Sequence, residues 1–385
     1  ESPDSTSASS VSASAERGSS GNGGNLIIQT ERLRIVDSAL VTVSTFGSGK
    51  GGDLTVIASD VELVGASANG EFASLMTGSV QRGATGNGGN LTVETERLRL
   101  ADGSQIASST FAAGNGGNVT IRAKSIELSD VTPDGQAAGG FATSAQPSAT
   151  GRAGNLIVET EELTVRDGAR ISSATGGQGR GGNINITASG SVQLMGSRII
   201  AASVAAGDAG DIEITAGSIL MNNVGIIEAE TASTEGGNIT LNANNLLQLR
   251  GASTISTTAG TEQGGGNGGD ININSPLILA FPTENSDITA NAFLGNGGNV
   301  DISTRGIFGI EFQDSTTDFS DITASSEFGV DGTVRINAQV NPNSLLPELE
   351  EEAVDAASLI DNRCRPGNEN RSEYIVQTYP EAFVD

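Results

Sequence analysis

The stretch GNLTVETERLRLADGSQIASSTFAAGNGGNVTIRA, residues 89–123, contains one complete repeat and the opening of the next. Leu91 and Val93 alternate with polar residues after a Gly-Asn turn; Leu98 and Leu100 follow. An Asp102-Gly103 turn, Ile106, a run of small residues and a glycine cluster then lead to the same opening at Asn118. Apolar alternation over a few residues, bounded by Gly, Asn and Asp, marks half-buried strands, and no 3.6-residue period competes with it before the C-terminal tail.

The same opening, Gly-Asn or Gly-Asp before an aliphatic residue, stands at Asn25, Asp53, Asn90, Asn118, Asn155, Asn183, Asp211, Asn238, Asp270 and Asn299, with a degenerate copy at Thr333. Successive steps are 28, 37, 28, 37, 28, 28, 27, 32, 29 and 34 residues, a unit of 28 whose excess belongs in loops. A second aliphatic pair follows about seven residues after the turn (Leu33/Ile35, Val61/Leu63, Leu98/Leu100), and a third site lies near the fifteenth residue (Val41, Ile106, Ile171, Ile199, Ile227). Three short strands per unit cannot bury their apolar faces alone. Stacking each unit on the last solves this, so the sequence predicts an all-β parallel β-helix of about eleven turns over residues 22–340. At about 4.8 Å per strand such a solenoid is roughly 50 Å long. Residues 1–21 read as the end of a preceding turn or a flexible lead, from a chain cut or processed from something longer. Residues 341–385 read as a capping tail, part helical and part extended. In it ELEEEAVDAASLI after Pro347 has helix-forming residues with acids in the first turn, Tyr374 lies in a short strand-like run, and Cys364 is an isolated thiol expected to be buried in the cap.

Composition narrows the function. With 20 basic and 46 acidic residues the formal charge is −26 and there is no histidine, which argues against nucleic acid or an anionic membrane as partner. No apolar run reaches the length of a membrane span. With a single cysteine there is no Cys/His metal cluster, and the 53 glycines are periodic, so they read as corners.

Aligning the repeats gives columns of outward residues: Arg32, Asp60, Arg97, Ser125, Glu162, and beside it Arg34, Glu62, Arg99, Glu127, Thr164. The alternating sign is expected to pin the register between turns. The turn asparagines Asn25, Asn90, Asn118, Asn155, Asn183, Asn238 and Asn299 are expected to form a ladder of stacked amides, with Asn also suited to a left-handed corner. Calcium at Asp53, Asp211 and Asp270 is the alternative, suggested by glycine-aspartate β-rolls; the 28-residue period and the neutral Asn at most turns speak against it, and no cofactor is expected. The two lengthened steps place insertions around Gly65 to Gly86 and Asp130 to Gly151, on alternate turns of one face, where recognition loops can reside. An enzyme acting on polysaccharide needs paired carboxyls with shifted pKa values. Here the carboxylates are spread turn by turn beside arginines, an arrangement expected to keep them ionised and ordinary.

The GNGGN-[LIV]-x-[LIV] repeat, the segments DGSQIAS (residues 102–108) and DGARISS (residues 167–173), and the tail LP…LIDNRCRPGN…SEYIVQT together resemble the C-terminal part of filamentous-haemagglutinin-type exoproteins of the large form common in cyanobacteria. The chain differs from that pattern at its end, where Gln377 to Phe383 replaces the usual Gly-Arg-Gly-Gly-Leu-Pro. The resemblance implies a right-handed parallel β-helix, exported by two-partner secretion to the cell exterior or outer surface. It also implies an adhesin or matrix-fibre subunit without catalytic activity, whose partners are other surface or matrix components, including polysaccharide, or further copies associating end to end or laterally. The alternatives are a polysaccharide-active lyase or hydrolase and a passive stalk.

Overall fold

The computed structural model describes residues 9–67 and 73–340. Among the described residues ten successive turns each carry three parallel strand segments, and an eleventh opens with Thr333–Val340, in line with the expected solenoid of about eleven turns. The proposed cap helix, Cys364 and Tyr374 lie outside the described residues. Ser10–Ser12 pairs with Leu40–Thr42, as the third strand of a turn before the first GNGGN corner. Among the described residues the helical content is one 3-10 turn, Pro282–Glu284.

The strands form two parallel sheets. One, of twelve strands, stacks the third segment of every turn; the other, of fifteen, carries the first and second segments. The sequence predicts these two segments as separate strands. In six turns they run together, as in Leu91–Leu100, Val119–Ser129 and Ile184–Met195. The junction is an irregular polar bend: Thr95 donates its hydroxyl to the Arg97 carbonyl at 3.1 Å, and the register shifts at Ala188–Ser191 and at Ala216–Ser218.

Inward residues repeat at fixed register, so each aliphatic side chain sits on its equivalent one turn away. Leu91, Val119 and Leu156 are aligned, as are Val93, Ile121 and Val158, and Leu98, Ile126 and Leu163; all are buried. The third-strand column reads Val41, Met76, Ile106, Phe141, Ile171, Ile199 and Ile227. Met76 and Phe141 follow the two insertions, which displaced them from the sequence spacing. Burying a side chain of this size contributes about 1.5–3 kcal/mol. In the first turn Leu26, Ile28 and Leu33 are only half-buried, since among the described residues no strand pairs with them on the N-terminal side.

Candidate functional site

The GNGGN corners form two parallel ladders. The side-chain oxygen of each turn's final Asn or Asp accepts the backbone N–H of its equivalent in the next turn. Asn25 accepts from Asp53 at 2.9 Å, Asp53 from Asn90 at 2.9 Å and Asn90 from Asn118 at 3.0 Å. The chain of bonds continues through Asn118, Asn155, Asn183, Asp211, Asn238 and Asp270 to Asn299, whose oxygen accepts the Thr333 hydroxyl at 2.6 Å. The main bond is thus side-chain carboxamide or carboxylate oxygen to peptide N–H, where stacked amides were expected, and the Asn238 and Asn299 amides add side-chain bonds to Asp211 and Asp270 at 3.2 and 3.0 Å. Since only an oxygen is required, Asp serves as well as Asn, which accounts for Asp53, Asp211 and Asp270 without a cation. Burial tends to push the Asp53 carboxyl up, but the Asn90 N–H and Lys50, at 3.0 Å, outweigh it and hold its pKa below the ordinary value.

The second ladder, three residues earlier, was not read from the sequence. Asn22 accepts the N–H of Lys50, Asn87 that of Asn115, Asn115 that of Arg152, and Asn267 that of Asn296, all at 2.8–2.9 Å. The doubled Asn of GNGGN is its signal. Nor do the corner asparagines adopt positive φ. That conformation falls at the bend before the third strand, on Asp102 (54°) and Asp167 (54°) and the glycines that follow them.

On the outer wall the charge columns meet in register. Asp60 is held by Arg97 at 2.9 Å and by Arg32 at 3.3 Å. Glu62 lies between Arg34 at 2.8 Å and Arg99 at 3.1 Å, and Glu127 pairs with Arg166 at 2.8 Å. Arg99 and Glu127 are 4.0 Å apart. The Arg97 hydrogen bond keeps the Asp60 carboxyl below its ordinary range.

The two insertions lie beside the sheet of third strands. Each insertion divides in two. Seven of its nine extra residues lie before the third strand, where ten residues replace three; the other two lengthen the following corner. In both, a small antiparallel bridge forms, Ala66 with Ala73 and Val131 with Ala138. Both leave from the same corner, two turns apart. Beside them a cavity of about 430 Å³ runs across the outer face of the twelve-stranded sheet of third strands. Its floor is built of small residues, in register as Thr77, Ala107, Ala142 and Ser172, with Ser79, Ser109 and Ser144 alongside. Gln81, Phe111 and Gln146 line one side, Leu75, Gln105 and Arg170 the other. The Gln105 amide donates to the Ala138 carbonyl at 2.8 Å, tying the second hairpin to the cleft.

One turn beyond Ile200, at the end of this cleft, the same floor position is Glu228. Two residues further along the strand is Glu230. Neither carboxyl is ordinary, contrary to the sequence expectation. Burial pushes Glu228 up and the Glu230 charge adds to it, against the pull of Arg198 at 3.9 Å and of Arg170. Burial likewise raises Glu230, opposed by the Ser256 hydroxyl and Arg198. These glutamates carry no motif, since their effect comes from burial among neighbouring turns and not from spacing. Among the described residues no group of three or more His, Cys, Asp or Glu is placed to hold a metal ion, and no helix is long and apolar enough to cross a membrane. Comparison with protein-family models, curated proteins and solved structures finds no match for this chain.

Proposed function

We propose that this protein is a surface-exposed or secreted adhesive β-solenoid of the filamentous-haemagglutinin type, which binds polysaccharide along its sheet of third strands. The observation that carries this reading is the hydroxyl-floored cleft beside the two inserted hairpins. Its volume lies in the range of small-ligand sites. Serine, threonine and glutamine groups offer donors and acceptors to sugar hydroxyls, and Phe111 offers an apolar surface to a ring. A rigid scaffold with local insertions is the usual setting for recognition. The purified protein, incubated with a panel of neutral and acidic polysaccharides, is expected to retain at least one of them. Replacement of Gln105 and Gln146 by Ala should abolish that retention. Binding that survives both changes would remove the cleft from the account, and a chain that retains none of the panel would favour a passive stalk.

Glu228 and Glu230 favour a second reading, a polysaccharide-cleaving enzyme. Their backbones, two residues apart in extended chain, are separated by roughly 7 Å, which leaves room for the spaced carboxyl pair of a glycosidase, and a raised pKa suits a general acid. The same incubation separates the two readings: new reducing ends or unsaturated sugars would establish catalysis, whereas retention without cleavage supports adhesion.

A further inference from the structure

The corners that follow the third strand differ in length from turn to turn. Those at Ala15–Gly21 and Val80–Gly86 carry two residues more than the one between them, Thr45–Gly49, and each turns through a glycine at positive φ, Gly18 (78°) and Gly83 (82°). Arg17 and Arg82 occupy equivalent positions on the two longer corners, two turns or roughly 10 Å apart. The intervening turn has Gly47 at that position, and a Cβ there would fall 2.3 Å from the Ser19 carbonyl oxygen. The result is a notch of about 310 Å³ lined by Arg17 on one long corner and Arg82 on the other, with Phe46, Ser48 and Thr85 among its remaining lining residues.

Two further facts concern what this notch lacks. Of the 17 Lys and Arg among the described residues, twelve are in ion pairs with carboxylates, but Arg17 and Arg82 have no such partner there. The Ser19 Oγ, which also lines the notch, is buried without a hydrogen-bond partner. A protein of charge −26 repels anions at long range, so two unpaired guanidiniums facing one hollow form a local exception. We infer that the notch is a binding site for a tetrahedral oxyanion, the sulfate or phosphate ester of a substituted polysaccharide. Each guanidinium can present two parallel N–H donors to such a group. The inference does not depend on the cleft: the notch is on a different corner and is tested by different residues.

One step further along the same edge the equivalent positions are Arg82, Ala112 and Pro147, so only one of the two long corners there carries a cation. The experiment measures binding of dextran sulfate, dextran phosphate, unsubstituted dextran and inorganic sulfate to the full chain by calorimetry, with the salt concentration raised stepwise. Wild type is expected to bind the two esters in preference to dextran, more weakly as salt rises, with inorganic sulfate competing. Arg82→Gln should weaken binding by about tenfold, equivalent to about 1.4 kcal/mol. Arg17→Gln/Arg82→Gln should abolish it, and Arg305→Gln, an unpaired arginine elsewhere, should leave it unchanged. If a glutamine variant does not fold, Arg17→Lys/Arg82→Lys keeps the charge, loses the planar fork and should bind with intermediate affinity. Sulfate preferred over phosphate ester would assign the source to sulfated glycans, and inorganic sulfate binding as tightly as either ester would assign the site to the free ion. Equal binding of dextran and dextran sulfate, or loss of binding in Arg305→Gln with retention in the double variant, would overturn the proposal. Loss of neutral-glycan binding on changing Gln105 and Gln146, with dextran sulfate binding intact, would show the two sites to be separate.

Discussion

At the residue scale the fold depends on space that only glycine leaves open. A Cβ added to Gly89 would fall 1.7 Å from the Gly52 carbonyl oxygen, and one added to Gly117 would fall 2.0 Å from that of Gly89. Both glycines follow the first glycine of the GG pair, in a column that continues through Gly154, Gly182, Gly210 and Gly237 with the same clash. At Gly24, by contrast, the nearest atom is the Ala13 Cβ at 3.7 Å. Gly89→Ala should therefore lower stability by at least about 1–3 kcal/mol, the usual cost of forcing extra volume into packed structure, whereas Gly24→Ala should be tolerated; urea titration of the two variants checks this. The periodicity of these glycines was legible in the sequence, but their reason was not. Spacing places them at corners, and only the stacking shows that what excludes a side chain is the backbone one turn away, not a positive φ. Glu228 and Glu230 were illegible for a related cause: their raised pKa values come from burial against residues of other turns. A carboxyl whose folded pKa is raised stabilises the fold when protonated. That contribution is complete below the ordinary glutamate value of 4.5 and is lost as pH rises through the raised folded value. Glu230→Gln is thus expected to be more stable than wild type at pH 7 and equal to it near pH 3, as read from melting temperatures at the two pH values.

At the element scale, strand order and register were readable because every turn repeats the same inward pattern. The charge columns were readable for the same reason, since equivalent residues in successive repeats become neighbours. The ion pairs they form are partly exposed, so each is worth only about 0.2–1 kcal/mol and is weakened by salt. Arg99→Glu places like charge between Glu62 and Glu127. Its destabilisation should be modest, about 1 kcal/mol, and should shrink in 1 M NaCl, whereas a loss insensitive to salt would point to packing. The insertions were located by length alone, but their division between hairpin and corner was hidden, because two extra residues at a corner look in sequence like part of one loop. Shortening the hairpin before Gly140 to the three residues found in the first turn should preserve the fold, since the strands on either side keep their register. The same deletion should remove polysaccharide retention if the cleft is the binding site. An adhesive solenoid and a passive spacer therefore differ in the outcome of this one variant.

On the scale of the whole solenoid, stability is a sum of nearly identical interfaces between successive turns. The two Asn ladders, the glycine columns and the aliphatic stack all run in the same direction, and each turn is held chiefly by its two neighbours. The claim on which all of this depends is that residues one repeat apart are adjacent, so that separation grows by about 4.8 Å per turn. Thr92, Thr120, Ile157, Asn185, Glu213, Thr240 and Asn272 occupy one outward column in successive turns. Pulsed dipolar spectroscopy tests this directly, with spin labels at Thr92 and Glu213 or at Thr92 and Asn272 in a Cys364→Ser background. The account predicts backbone separations of roughly 19 Å across four turns and 29 Å across six. Separations that do not scale with the number of intervening turns would contradict it.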